Sequence, residues 1–229
     1  MKKLIVSFMM IGLIAILAAC GDDKEEKAQE TIQPQDITME EDEKVTDDDV
    51  VININDTEVT GHHYNTIYLQ TKIRAYQFGQ DIEDKENIKE ITLNEIIAQE
   101  LIKQEAERLG IEVSEENVQE ELDTLKSENE EQFEAYLETY NLTEDSLKDQ
   151  IRFSQILNQF IEEEIEIAEV TEDDIKETYD QLKKDMENIM EFEQAEPIIE
   201  QQLTEQREAD ALQAKVEELM DDANIEKHI

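Results

Sequence analysis

The sequence predicts a mostly helical, multi-helix domain with one short strand pair, completed by a C-terminal helix. Three observations predict it. Capping residues recur just ahead of apolar positions spaced three and four apart. Only one run, Val50 to Asn55, reads as a β-branched strand. Five glycines, two prolines and no tryptophan in 229 residues are too few punctuators for a turn-rich β-sandwich.

The elements follow in chain order. Lys2 and Lys3 precede an apolar run from Leu4 to Leu17, broken only by Ser7 and Gly12. That run is short for a membrane-spanning helix and reads as a leader peptide over residues 1–19. It ends in Leu17-Ala18-Ala19-Cys20-Gly21. Residues 20–49 read as an acidic, disordered tether, because only Ile32, Ile37, Met39 and Val45 are sizeable apolar residues. Such a coil reaches roughly 30 Å in root-mean-square terms. The folded domain is expected over residues 50–229. It opens with the strand and with turn chemistry at Asn55-Asp56. The partner strand is expected at the extreme C-terminus, Ala223 to Ile229, so that the two ends of the domain meet.

Helices come next. Thr60 caps one that carries Tyr64, Ile67, Tyr68, Ile73 and Tyr76 and stops near Phe78-Gly79. Thr92 and Glu95 match a capping box for a second helix, which Gly110 ends. Ser114, Thr143 and Thr171 cap three more, and Phe133 to Tyr140 marks a short one. Pro197 is expected in the first turn of the last helix, which carries Ile199, Leu203, Leu212, Val216 and Leu219.

Charge narrows the function classes. Asp and Glu number 62 against 20 Lys and Arg, a formal net charge of -42. A nucleic-acid partner is not expected, because phosphate contact needs a cationic surface. One cysteine excludes an intrachain disulfide and a multi-cysteine zinc site. No metal site, catalytic residue or cofactor is expected. His62 and His63 are neighbours at a helix start and point in different directions. There is no Gly-x-Ser-x-Gly elbow and no glycine-rich phosphate loop. Paired carboxylates carry no information in so acidic a chain. Most aromatic residues at helical spacing read as core. Those that could instead line an open apolar groove are Tyr68, Tyr76, Phe133 and Tyr136, with Met186, Met190 and Phe192 in the connector before the last helix.

Two resemblances attach to these residues. The stretch ending at Cys20 resembles the lipobox of bacterial lipoproteins. It implies cleavage before Cys20 and a diacylglyceryl anchor there, and hence a palmitate-bearing protein on the outer, extracytoplasmic face of the cell membrane. The second rests on the order of Val50 to Thr60, Thr92 to Gly110, Tyr140 to Asp145, Val170 to Tyr179 and Ile198 to Ile225. It resembles the N-terminal chaperone domain shared by the SurA and PrsA foldases, over Val50 to Ile229. That family implies binding of unfolded or partly folded exported proteins. In the foldases a parvulin-type prolyl isomerase domain follows the segment similar to Ile175 to Tyr179. Here only Leu182 to Ala195 separates the matching parts. The expectation is therefore an anchored holdase that is not an enzyme. The alternatives are an interaction module of an envelope complex and a PrsA-like isomerase. A homodimer is a further expected partner state.

Overall fold

A computed structural model describes residues 34–130, 132–185 and 189–229. Strand β1 (Val50–Ile54) and strand β2 (Thr57–Thr60) form an antiparallel hairpin across Asn55-Asp56. Asn55 takes φ 54, a left-handed conformation that asparagine tolerates better than most residues. β2 is only four residues long, and the sequence signal had not separated it from the turn. The C-terminal strand β3 (Ile225–Lys227) lies on the other side of β1, giving the order β2-β1-β3. Ile52 faces Lys227 and Ile54 faces Ile225 across that ladder. The expected meeting of the two ends is therefore present. Two further bonds close it: Asn55 N–H to Asn224 O at 2.8 Å and His228 N–H to Val51 O at 2.9 Å.

Seven helices follow among the described residues: α1 (Gly61–Gln77), α2 (Lys85–Leu109), α3 (Glu115–Glu128), α4 (Phe133–Thr139), α5 (Glu144–Glu164), α6 (Glu172–Asp185) and α7 (Phe192–Asp222). Three caps sit where the sequence placed them. Ser114 Oγ accepts from Asn117 N–H at 3.1 Å, and Thr143 and Ser146 form a reciprocal box. Thr171 Oγ1 accepts from Asp174 N–H at 3.2 Å while the Asp174 carboxylate accepts from Thr171 N–H at 2.8 Å. Gly110 ends α2 at φ 81.

Two boundaries differ. α2 begins at Lys85, seven residues before the expected box, and its cap is Asp84, which accepts from Asn87 N–H at 3.2 Å. Thr92 is wholly buried within the helix and donates to Ile88 O at 2.8 Å. A threonine that bonds back one turn needs no free N–H groups to cap. α7 likewise begins at Phe192, so Pro197 is inside the helix rather than in its first turn. The proline is exposed and its ring faces water, where the freed carbonyl one turn back can be hydrated.

The core is built in successive layers. The sheet, α1 and α2 bury Val51, Ile52, Ile54, Tyr64, Ile88, Ile96 and Ile97, with Leu219 and Met220 of α7 packed against them. α2, α5 and α7 enclose Ile102, Ala106, Phe160, Leu212 and Val216. α3, α4 and α5 enclose Val118, Leu122, Phe133, Leu137 and Ile151. A separate small cluster, Ile175, Tyr179, Ala195 and Ile199, joins α6 to the first half of α7.

The expected tether is corrected at its C-terminal end. Residues 37–49 are packed on the domain: Ile37 and Glu43 are both 5% exposed. Ile37 joins Leu69 and Ile73 of α1 in a further apolar cluster. Composition alone reads this acidic stretch as solvated, but its carboxylates find cations on α1 and α2.

Candidate functional site

Three helices present one face each to a groove of about 660 Å³. α1 contributes His63, Ile67, Gln70 and Arg74, which recur at helical spacing along one side. α2 contributes Glu95, Gln99 and Lys103 at i, i+4 and i+8. α5 contributes Asp149, Gln150, Phe153 and Leu157. Ile67 is buried, and Phe153 and Leu157 are half-buried, so the groove has apolar surface that water reaches. One glutamine lies on each wall. A carboxamide carries both donors and an acceptor, the complement of a peptide main chain whatever its side chains.

The charged residues of the groove are held in place. Arg74 pairs with Glu95, which also accepts from Thr71 Oγ1 at 3.3 Å and from Gln99 Nε2 at 3.2 Å. The Lys103 ammonium sits over the Phe153 ring, 5.6 Å from its centre. Burial, reinforced by the Lys103 charge, lowers His63 to about 4, so its imidazole is neutral at neutral pH. Among the described residues no group of His, Cys, Asp and Glu is arranged to hold a metal ion. The groove thus combines water-accessible apolar surface with fixed charges and carboxamides.

The sequence-predicted groove residues separate. Tyr68 is 1% exposed, and its hydroxyl donates to Glu43 Oε1 at 2.9 Å. Phe133 is buried among Val118, Leu122 and Leu137. Both are core residues and are corrected as candidates. Tyr76 is half-buried against the Ile37 cluster, and Phe192 packs edge-on against Tyr179, centroids 5.2 Å apart. Tyr136 and Met190 are exposed at 44% and 48%, but lie on α4 and at the tip of the α6–α7 hairpin, not together. Met186, the expected lipobox residues Leu17, Ala18 and Ala19, and Cys20 lie outside the described residues.

The groove residues that the sequence reading missed are mainly polar. Glu95, Gln99 and Lys103 repeat at helical spacing, but such a row is indistinguishable in sequence from a solvated helix face.

These features define a helical domain whose small sheet pairs Val50–Ile54 with Ile225–Lys227 and which bears a groove between α1, α2 and α5. Residues 2–161 match the family described as the SurA-like N-terminal domain, and the chain belongs to that family. It is 26% identical over 194 residues to a foldase protein PrsA of Clostridium perfringens, covering 80% of this chain and 52% of the relative. It is 27% identical over 150 residues to a foldase protein PrsA of Caldanaerobacter subterraneus subsp. tengcongensis, covering 61% of this chain and 44% of the relative. The chain thus spans about half the length of the curated relatives it matches.

Proposed function

We propose that this protein is a membrane-anchored extracytoplasmic holdase for unfolded or partly folded exported proteins, without prolyl isomerase activity of its own. The observation that carries the reading is the groove of α1, α2 and α5: apolar surface, fixed charges and a glutamine on each of three walls. Sequence-independent main-chain contacts and a modest apolar surface hold a client weakly, which suits release without an energy source. Membership of the SurA-like family and the foldase names of the relatives support a chaperone role. The short segment between Asp185 and Phe192, where the foldases carry their isomerase domain, supports holding without isomerisation. Leu17 to Cys20 supports anchoring, since a diacylglyceryl cysteine supplies the two chains that stable attachment needs.

The test uses the full chain. It should suppress aggregation of several unrelated unfolded proteins, and Gln70→Ala with Gln150→Ala, two of the groove's wall glutamines, should weaken that several-fold with little change in melting. Suppression of one partner alone would favour an envelope interaction module. Proline-peptide isomerisation above background would favour a foldase. Radiolabelled palmitate should enter the wild-type chain in a lipidating host and not Cys20→Ser. Incorporation by the variant would sink the anchor.

A further inference from the structure

We propose that one face of α1 is a second peptide-binding site, filled in this chain by its own residues 37–47, and that it takes short acidic segments that carry a few apolar residues and present a carboxylate anchor on a turn. The occupant is part of the same chain. Residues 37–47 run across α1 without joining the sheet, and most of what holds them there comes from side chains. Asn65 reads the main chain at Val45 in both directions: Nδ2 donates to Val45 O at 2.7 Å, and Val45 N–H donates to Oδ1 at 3.0 Å. Lys72 Nζ donates to Thr38 O at 3.2 Å. Such contacts fix the path of the main chain, which turns where Glu43 N–H donates to Glu40 O at 3.1 Å, while leaving most of its side chains unspecified.

The anchor is Glu43. Its carboxylate accepts from Lys72 Nζ at 2.7 and 2.8 Å, from Tyr68 Oη at 2.9 Å and from the Glu40 N–H at 2.6 Å. The Glu43 side chain has no exposed surface, and Lys72 keeps 7% of its own. A buried ion pair holds less firmly than apolar residues of the same volume would, and it makes docking conditional on both charges. At the strap's other flank Lys85 meets Glu40 at 2.5 Å and Asp42 at 2.9 Å. Ile37, Met39 and Val45 supply the apolar contacts, against Leu69 and Ile73 among others.

Three features mark this as a site rather than as ordinary core. The gripping groups Asn65, Lys72 and Lys85 belong to helices whose other faces carry the main core. Gly61 is demanded by the strap itself, because a Cβ there would meet Thr46 O at 2.1 Å. The strap also leaves a cleft of about 880 Å³ open between itself, α1 and α4, so the face is not closed. With the strap lifted, Lys72 and Lys85 would present two cations beside Leu69 and Ile73. Those two cations favour an acidic segment locally, against the repulsion of a chain whose net charge is -42.

A covalently attached occupant competes at an effective concentration of about millimolar, so a free peptide binds visibly only once the strap is released. The test breaks the latch in the full chain. Glu43→Lys sets a cation against Lys72, and Glu43→Gln is the milder release. The probe is a fluorescent peptide with the sequence of residues 36–48. Both variants should bind it about tenfold or more tighter than the wild-type chain, in proportion to the freed fraction. A peptide with glutamine in place of its Glu43-equivalent should lose that gain. Trypsin cutting at Lys44 should accelerate in both variants, with the helical circular dichroism kept. Equal peptide affinity in all chains, or loss of helix and cooperative melting in Glu43→Gln, would overturn the proposal. This outcome is independent of client holding, so failure of the holdase reading leaves it standing.

Discussion

The sheet with α1 and α2 is built differently from the hairpin of α6 and the first half of α7. In the first region the two ends of the domain meet, and Ile52, Ile54, Ile88 and Tyr64 are almost fully removed from water. In the second, α6 packs chiefly on α7 around only Ile175, Tyr179, Ala195 and Ile199, with Met190 and Ile198 left exposed. Arg207 pins the approach to α6, pairing with Asp174 at 2.8 Å and donating to Glu169 O. Local stability follows local burial, so the first region, the body, is expected to melt as a unit and the second, the arm, to open on its own.

The sharpest way to break this contrast is an equal truncation in each region. Ile97→Ala should cost about 3 kcal/mol and lower the melting temperature of the whole domain. Ile199→Ala, equally buried in the arm, should speed amide exchange in α6 and its facing turn while the main transition stays in place. A whole-domain melting shift from Ile199→Ala would show that arm and body are one cooperative unit.

Caps give a smaller effect. Thr143→Ala should cost about 1 kcal/mol, because it removes one half of a reciprocal box at an exposed helix start. Thr92→Val should leave α2 at its full length, since Thr92 bonds within the helix and Asp84 is the cap. Shortening of α2 in that variant, read by amide exchange at residues 85–91, would restore Thr92 as a start.

Acid should separate the regions further, by the smallest effect. His63, on the body's groove, is lowered from 6.5 to about 4 by burial and then by Lys103. The unfolded chain takes up that proton first, so the contribution is full above 6.5 and is lost as pH falls towards about 4. Asp174, in the arm, is held at about 2 by the Thr171 hydroxyl and N–H and by Arg207. Its contribution is full above 3.8 and is lost as pH falls through about 2. Glu43 is lowered as well. Burial raises its carboxyl, but bonds from Lys72, the Glu40 N–H and Tyr68 outweigh that and keep it below 4.5. Its hold on the strap is lost as pH falls through that lowered value. His63→Phe should flatten the change between pH 6.5 and 4, and Asp174→Asn should flatten only the lower one. A pH profile unchanged by His63→Phe would remove the histidine from this account.

Much of the fold is legible residue by residue. Ser114, Thr143, Thr171 and Gly110 act where the sequence places them, because capping is local chemistry between neighbours. Thr92 and Pro197 mislead for the same reason. The same residue types also occur inside helices, and a local pattern does not say whether the preceding residues are already helical. The groove was not legible: none of the described residues expected to line it does so. Aromatic residues drew attention, yet Tyr68 and Phe133 went to the core, since aromatic rings bury the largest areas. The walls are instead polar rows that mean nothing until a second and third helix face them.

The sequence alone determined the helical class, the caps at Ser114, Thr143, Thr171 and Gly110, and the surplus of acid. Each of these is written in residue type and short-range spacing. Tertiary structure decided which acids are solvent-facing and which are anchors. Glu41 lies open to water, while Glu43, two residues on, is buried against Lys72. No local rule distinguishes those two glutamates. The distinction arises because α1 brings a lysine, a tyrosine and an asparagine to a segment more than twenty residues earlier in the chain, and a carboxylate leaves water only where such partners already wait.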